Sequence, residues 1–259
     1  MFVEAVRKAK KAMFPIFRME QISDNQFRVG VAGTGFFVAK NGYFISAAHV
    51  FDNTNENSKF RYLGLLPEGL VGNELEIEKV AVDDENDIFL GRVDVPNNDI
   101  LVLSDLGPEI GKSICVGGYP LATIVPGPNK SIDVSGVRRY FQPSFILDLA
   151  NCKIKNTAGK IRNHVGFTLR DIGLFGMSGG PVFDSEGNVF GIQGSVTDPR
   201  VSSSADKSIT VINSVAIGSG VAKKLLDQCM LSLSRKNDSS ITGEAKVELE
   251  PELNKARAS

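Results

Sequence analysis

The chain has 259 residues, 42% of them hydrophobic, and its 29 basic and 30 acidic side chains leave a net charge of -1. Near-neutrality excludes a general electrostatic footprint for nucleic acid, and no apolar stretch reaches the length of a membrane-spanning helix. Three widely spaced cysteines, Cys115, Cys152 and Cys229, exclude a dense disulfide framework and point to a reducing, cytoplasmic setting. None has metal-ligand spacing, so neither a metal nor a cofactor is expected.

In chain order, Met1 to Lys11 holds four basic residues and Glu4 without a following apolar core. This reads as an amphipathic helix rather than a secretory signal, with a transit peptide as the alternative. Short apolar runs broken by Gly, Asn, Asp and Pro follow, an all-β signature. Strands are expected from Phe14, over Phe27 to Val31 and over Gly35 to Ala39. Asn41-Gly42 closes a hairpin into Tyr43-Phe44-Ile45, since both positions tolerate positive φ. After a polar loop over 52–59, Leu75 to Val82 and Ile88 to Val93 complete a first lobe over 26–107, behind an extension over 1–25.

A second lobe is expected over 108–218. Its strands are Ser113 to Gly117, Ser131 to Val137, Phe145 to Leu149, Val165 to Leu169, Pro181 to Phe183, Val189 to Gln193 and Ile209 to Val215. Residues 197–207 read as a loop. Apolar spacing at 221, 225, 226, 229, 230 and 233 predicts a helix over 219–235, and 236–259 is a polar, disordered tail. Two six-stranded antiparallel β-barrels with a C-terminal helix satisfy this pattern, although propensity alone does not separate barrels from a sandwich.

Gly176-Met177-Ser178-Gly179-Gly180-Pro181 is the most informative run. A serine between flexible glycines sits on a tight turn with its hydroxyl exposed and backbone N–H groups nearby, as acyl transfer needs; a plain turn is the alternative. Of two histidines, His49 follows an apolar strand and two small alanines, so it can face a cleft and accept a proton near neutral pH; taken alone, it reads first as a half-buried structural histidine. Asp87 abuts the apolar Ile88-Phe89-Leu90 and can orient an imidazole, whereas Asp83, Asp84 and Asp94 read as turn acids. His164 and the Arg138-Arg139 pair read as structural and solvated.

In the order His49, Asp87, Ser178, these motifs resemble the trypsin-like serine peptidases, and among them the HtrA/DegP-type peptidase domain. Gly33-Thr34-Gly35-Phe36 resembles the strand before the histidine, Ser46-Ala47-Ala48-His49-Val50 the histidine motif, and Asp87-Ile88-Phe89-Leu90 the aspartate motif. Gly117-Gly118-Tyr119-Pro120 resembles the turn opening the second barrel. The resemblance implies peptide-bond cleavage through an acyl-enzyme, with His49, Asp87 and Ser178 catalytic and the N–H groups of Gly176 and Ser178 as oxyanion hole. It places Ile172 at the floor of the substrate pocket and Gly194-Ser195-Val196 along its wall, suiting an apolar side chain; a shift of one residue would put Asp171 there and favour Arg or Lys. Met177 departs from the family, since it cannot pair with a freed N-terminus. The implied partners are a protein or peptide substrate, not nucleic acid or membrane, with a homo-oligomer left open; no PDZ-like segment follows the helix. A catalytically silent binding module on the same fold is the competing reading. An α/β-hydrolase esterase is disfavoured because its histidine comes last.

Overall fold

The computed structural model describes residues 1–23, 26–52, 60–66, 74–96, 99–126, 132–155, 160–171, 173–197, 200–202, 208–210 and 213–234. The chain divides into two units, Met1–Lys223 and Lys224–Ser259. The described part of the second is helical, residues 224–234, within a helix spanning 219–234. There the hydroxyls of Ser232 and Ser234 donate to the carbonyls three residues earlier, Cys229 and Leu231.

The first unit opens with α1 (Val3–Ala12), which buries its small residues Ala5, Ala9 and Ala12 and leaves its charges in water. Strands β1 (Met13–Ser23), β2 (Gln26–Phe37) and β3 (Tyr43–Ala47), a 3-10 turn (Ala48–Phe51), then β4 (Phe60–Leu65), β5 (Glu74–Glu76), β6 (Glu78–Asp83) and β7 (Ile88–Arg92) follow. They form one antiparallel sheet in the order β5-β4-β1-β2-β3-β7-β6. Its core is aromatic. Phe14 lies 5.0 Å from both Phe37 and Phe44, and Phe51 stacks on Phe89 at 3.8 Å. Each such buried ring is worth about 2–3 kcal/mol of transfer free energy.

The second lobe comprises β8 (Val102–Leu103), β9 (Ser113–Gly118), β10 (Thr123–Pro126), β11 (Ile132–Gly136), β12 (Tyr140–Lys155), β13 (Ile161–Leu169), β14 (Pro181–Phe183), β15 (Asn188–Thr197), β16 (Arg200–Ser202), β17 (Ser208–Thr210) and β18 (Asn213–Gly218). The sheet order β14-β9-β12-β13-β18-β15 closes through a β14–β15 pairing into a six-stranded barrel, and β8 adds to β15 in parallel. Two barrel-like sheets and a C-terminal helix are thus the architecture expected from the sequence, with β5 and β6 leaving the first sheet open.

Individual boundaries differ for physical reasons. The strands expected over 27–31 and 35–39 are one strand, β2, because a register shift between Ile16 and Phe17 of β1 absorbs the small Ala32-Gly33 step without breaking the ladder. The expected 209–215 strand falls in two, β17 and β18, and the 197–207 loop contains β16. The hairpin at Asn41 and Gly42 is present, with φ of 62° and 78°.

Candidate functional site

β3 and β7 pair antiparallel with Ala47 opposite Ile88, so the residues just past each partner adjoin at one sheet end. His49 leaves β3 on the 3-10 turn, and Asp87 enters β7. Asp87 is 1% exposed and holds a left-handed φ of 61°, a conformation Asp tolerates better than most residues. In it, its carbonyl accepts the Ala48 N–H at 3.0 Å. One carboxylate oxygen accepts the His49 N–H at 2.8 Å, and the other lies 2.7 Å from His49 Nδ1. Asp87 therefore fixes both the backbone and the ring of His49, leaving Nε2 as the atom for chemistry.

Ser178 sits between Gly176 (φ 96°) and Gly179 (φ 83°). Main-chain bonds hold this turn from both lobes. Thr34 N–H of β2 donates to the Ser178 carbonyl at 2.8 Å, and Gly179 N–H donates to Gln193 at 2.7 Å. Thr34, fully buried, donates its hydroxyl to Gly176 O at 2.8 Å and accepts the Tyr119 N–H at 3.1 Å. Among the described residues the N–H groups of Gly176 and Ser178 donate to no acceptor. Two free donors flanking a hydroxyl are what an oxyanion needs. The Ser178 hydroxyl itself donates to Gly194 O at 3.2 Å and makes no hydrogen bond to His49.

Met177 is fully buried with Ile114, Val116, Phe167 and Phe190 in the second-lobe core. It anchors the serine turn by packing where an aspartate would need an ion-pair partner. Of the expected pocket residues, Ile172 lies outside the described residues. Gly194 receives the Ser178 hydroxyl, and Ser195 and Val196 pair with Val215 and Ser214 of β18. Two neighbours went unsignalled in the sequence: a Cβ built at Gly173 would lie 2.7 Å from Gln193 Nε2 and 2.9 Å from Ser214 Oγ. Gln193 Oε1 and Ser214 Oγ are buried and have no hydrogen-bond partner among the described residues.

Arg162 on β13 is also a residue that sequence reading missed. Its side chain is 2% exposed and reaches first-lobe acids. It donates to both oxygens of Asp52 at 2.5 and 2.7 Å and to Asp84 Oδ1 at 3.1 Å, and its Nε lies 3.3 Å from Asp87 Oδ1. Burial opposes its charge, but these carboxylates outweigh burial and push its proton affinity up. Lys160 donates to Asp84 and, with Arg162, holds that carboxyl below the usual range. Among the described residues no group of three His, Cys, Asp or Glu side chains is placed to hold a metal ion, and no helix is long and apolar enough to cross a membrane.

With two barrel-like sheets and this constellation where they meet, the chain belongs to the trypsin-like peptidase domain family, whose model matches residues 33–192. It is 26% identical over 166 residues to a probable periplasmic serine endoprotease, DegP-like, of Halomonas elongata, covering 63% of this chain and 29% of that protein. It thus spans less than a third of that relative's length. The fold is similar to the Rv3671c protease from M. tuberculosis in its active form, with TM-score 0.59, 20% identity, and coverage of 86% of this chain and 82% of that one. It is also similar to the HtrA-type protease AlgW with decapeptide, with TM-score 0.62, 17% identity, and coverage of 89% and 67%.

Proposed function

We propose that this protein is a serine endopeptidase in which Ser178 attacks the scissile carbonyl and forms an acyl-enzyme. His49 takes the serine proton and returns it to the leaving amine, and Asp87 holds the ring and balances the imidazolium. The N–H groups of Gly176 and Ser178 take the developing oxyanion; losing one such donor costs on the order of 3 kcal/mol of transition-state stabilisation. The observation that carries this reading is the double grip of buried Asp87 on His49, through ring and backbone at once. A structural histidine has no need of its Nδ1 and its main chain being fixed by one carboxylate. Protein or peptide substrates fit the reading, as does a reducing compartment, since Cys115 is buried as a free thiol.

The turn of the Ser178 hydroxyl toward Gly194 favours the second reading, a silent binding module. In a resting peptidase the same hydroxyl swings to His49 on substrate binding, because catalytic hydrogen bonds tighten in the complex. A fluorophosphonate probe separates the two. Labelling of the wild type that is abolished in Ser178→Ala supports the peptidase, and equal labelling of the two removes it.

For the pocket, the reading keeps an apolar side chain before the cut, as expected from Ile172 and Gly194-Ser195-Val196; Gln193 Oε1 and Ser214 Oγ are sealed from solvent and offer a substrate no partner.

A further inference from the structure

We propose that Arg162 is a positioning residue for the His49–Asp87 pair, tying proton transfer in the first lobe to the docking of the second. The inference rests on the peptidase reading for its consequence in catalysis, and on geometry alone for its effect on His49.

Arg162 sits near the start of β13, in the second barrel. Along a strand successive side chains face opposite ways. Phe167 and Leu169 point into the barrel core, so Arg162, of opposite parity, points out of it and across to the first lobe. Its guanidinium is nevertheless almost completely buried, because it ends among three acids of that lobe. Asp52 follows the 3-10 turn that carries His49, and its N–H caps the His49 carbonyl at 3.2 Å. Asp84 opens the turn that ends at Asp87. Arg162 Nε also donates to the Asp84 carbonyl at 3.2 Å. Next to it, Asn163 N–H donates to Glu85 O at 2.7 Å and its side-chain amide to Glu85 Oε1 at 2.8 Å. The first residues of β13 thus grip both segments that place the pair, and Asp87 is held in a left-handed conformation that the grip keeps in place.

The two oxygens of Asp87 divide the work. Oδ1 accepts the His49 N–H at 2.8 Å and lies 3.3 Å from Arg162 Nε, while Oδ2 faces the His49 ring at 2.7 Å. Lys160, just before β13, pairs with Asp84, and Tyr62 of β4 donates its hydroxyl to the Asp52 carbonyl at 3.4 Å. Arg162 therefore anchors the oxygen that fixes the His49 main chain and leaves the other one aimed at the ring.

Arg162→Gln and Arg162→Lys test this. With only two histidines in the chain, His164→Gln leaves one set of ring resonances, and the His49 Nδ1–H proton held by Asp87 gives a low-field proton NMR signal that needs no catalysis. In Arg162→Gln that signal is expected to move upfield or broaden away as the carboxylate loses its anchor, and fluorophosphonate labelling to slow about tenfold. Arg162→Lys keeps the charge but not the planar fork that spans Asp52, Asp84 and Asp87, and both readouts are expected to fall between those of Arg162→Gln and the parent. A merely structural arginine would lower the melting temperature and leave the low-field signal in place. An unmoved signal in folded Arg162→Gln overturns the proposal; if that variant does not fold, Arg162→Lys labelling at the parental rate overturns it. Absence of labelling in the unmutated protein strikes the peptidase reading instead, and the NMR signal still decides for or against Arg162.

Discussion

Gly179, immediately after Ser178, allows a three-variant measurement of what the serine turn costs. Its φ is +83°, and a Cβ there would lie 2.1 Å from Ser46 Oγ, 2.4 Å from the Thr34 carbonyl oxygen and 2.8 Å from the Ala47 nitrogen. Two of these atoms are main chain of β2 and β3, and the Ser46 hydroxyl is itself bonded to Thr34 O at 2.8 Å, so none gives way cheaply. The left-handed conformation costs an alanine about 1 kcal/mol, and overpacking against fixed atoms adds about 1–3 kcal/mol. At about 2–4 °C per kcal/mol for a domain of this size, Gly179→Ala should melt about 10 °C below the parent by differential scanning calorimetry. Gly111 has nearly the same φ, +85°, with no atom within 4 Å of the built Cβ, so Gly111→Ala isolates the backbone contribution and should lose about 3 °C. Gly107 has neither the positive φ nor a close atom, and Gly107→Ala should melt at or slightly above the parent. If Gly179→Ala and Gly111→Ala melt within about 2 °C of each other, the close packing of the serine turn against β2 and β3 is wrong.

Thr34→Val keeps the shape but strands Gly176 O and the Tyr119 N–H in the interior. It should cost about 1–3 kcal/mol in urea unfolding and slow fluorophosphonate labelling of the still-folded protein, and an unchanged labelling rate would separate this tether from the serine turn. Asp84 has a carboxyl held low, first by the hydrogen bond from Lys160 and then by Arg162, so its contribution is complete above its unfolded value near 3.8 and is lost as pH falls through the lower folded value. Its side chain is 57% exposed, so Asp84→Asn should lose under about 1 kcal/mol at pH 7, and the gap to the parent should close on acidification below pH 3.8; a widening gap contradicts the sign. Burial pushes the Cys115 thiol up to about 12, so iodoacetamide at pH 8 should modify it only after unfolding, and mass spectrometry showing equal rates with and without urea would refute its burial. In a peptide library, cleavage should favour small or medium apolar residues before the cut; abundant cleavage after Arg or Lys would point to Asp171 instead.

The residues that meet at the site carried local punctuation that a reader of the sequence can find: glycines around Ser178, small alanines before His49, and an apolar strand after Asp87. The neighbouring acids are resolved only by the fold. Asp83 accepts the backbone and side chain of Asn86 in its own turn, while Asp84 and Asp52 belong to Arg162. Arg162 gave no such sign because its partners are 110, 78 and 75 positions away along the chain, and because its face of β13 is defined by the other lobe and not by its own barrel. Gln193 was equally silent, being one polar residue in an apolar strand. Strand limits failed where side-chain character misreports hydrogen bonding, as at Ala32-Gly33 inside β2, where small residues look like a break and are in fact a shift in register. The expected strand over Leu75 to Val82 is likewise two, β5 and β6, which lie at opposite edges of the first sheet, a separation that the apolar pattern of the run does not reveal.

The bond from the Thr34 N–H to the Ser178 carbonyl joins main chain to main chain, and so it ignores which side chain position 178 carries. The turn is a socket with an interchangeable tip. A cysteine, an alanine or a selenocysteine installed there inherits the same backbone placement. On the proposed peptidase reading, the chain therefore offers a scaffold in which the atom at position 178 can be exchanged to trap acyl or thioester adducts with the surrounding donors left in register.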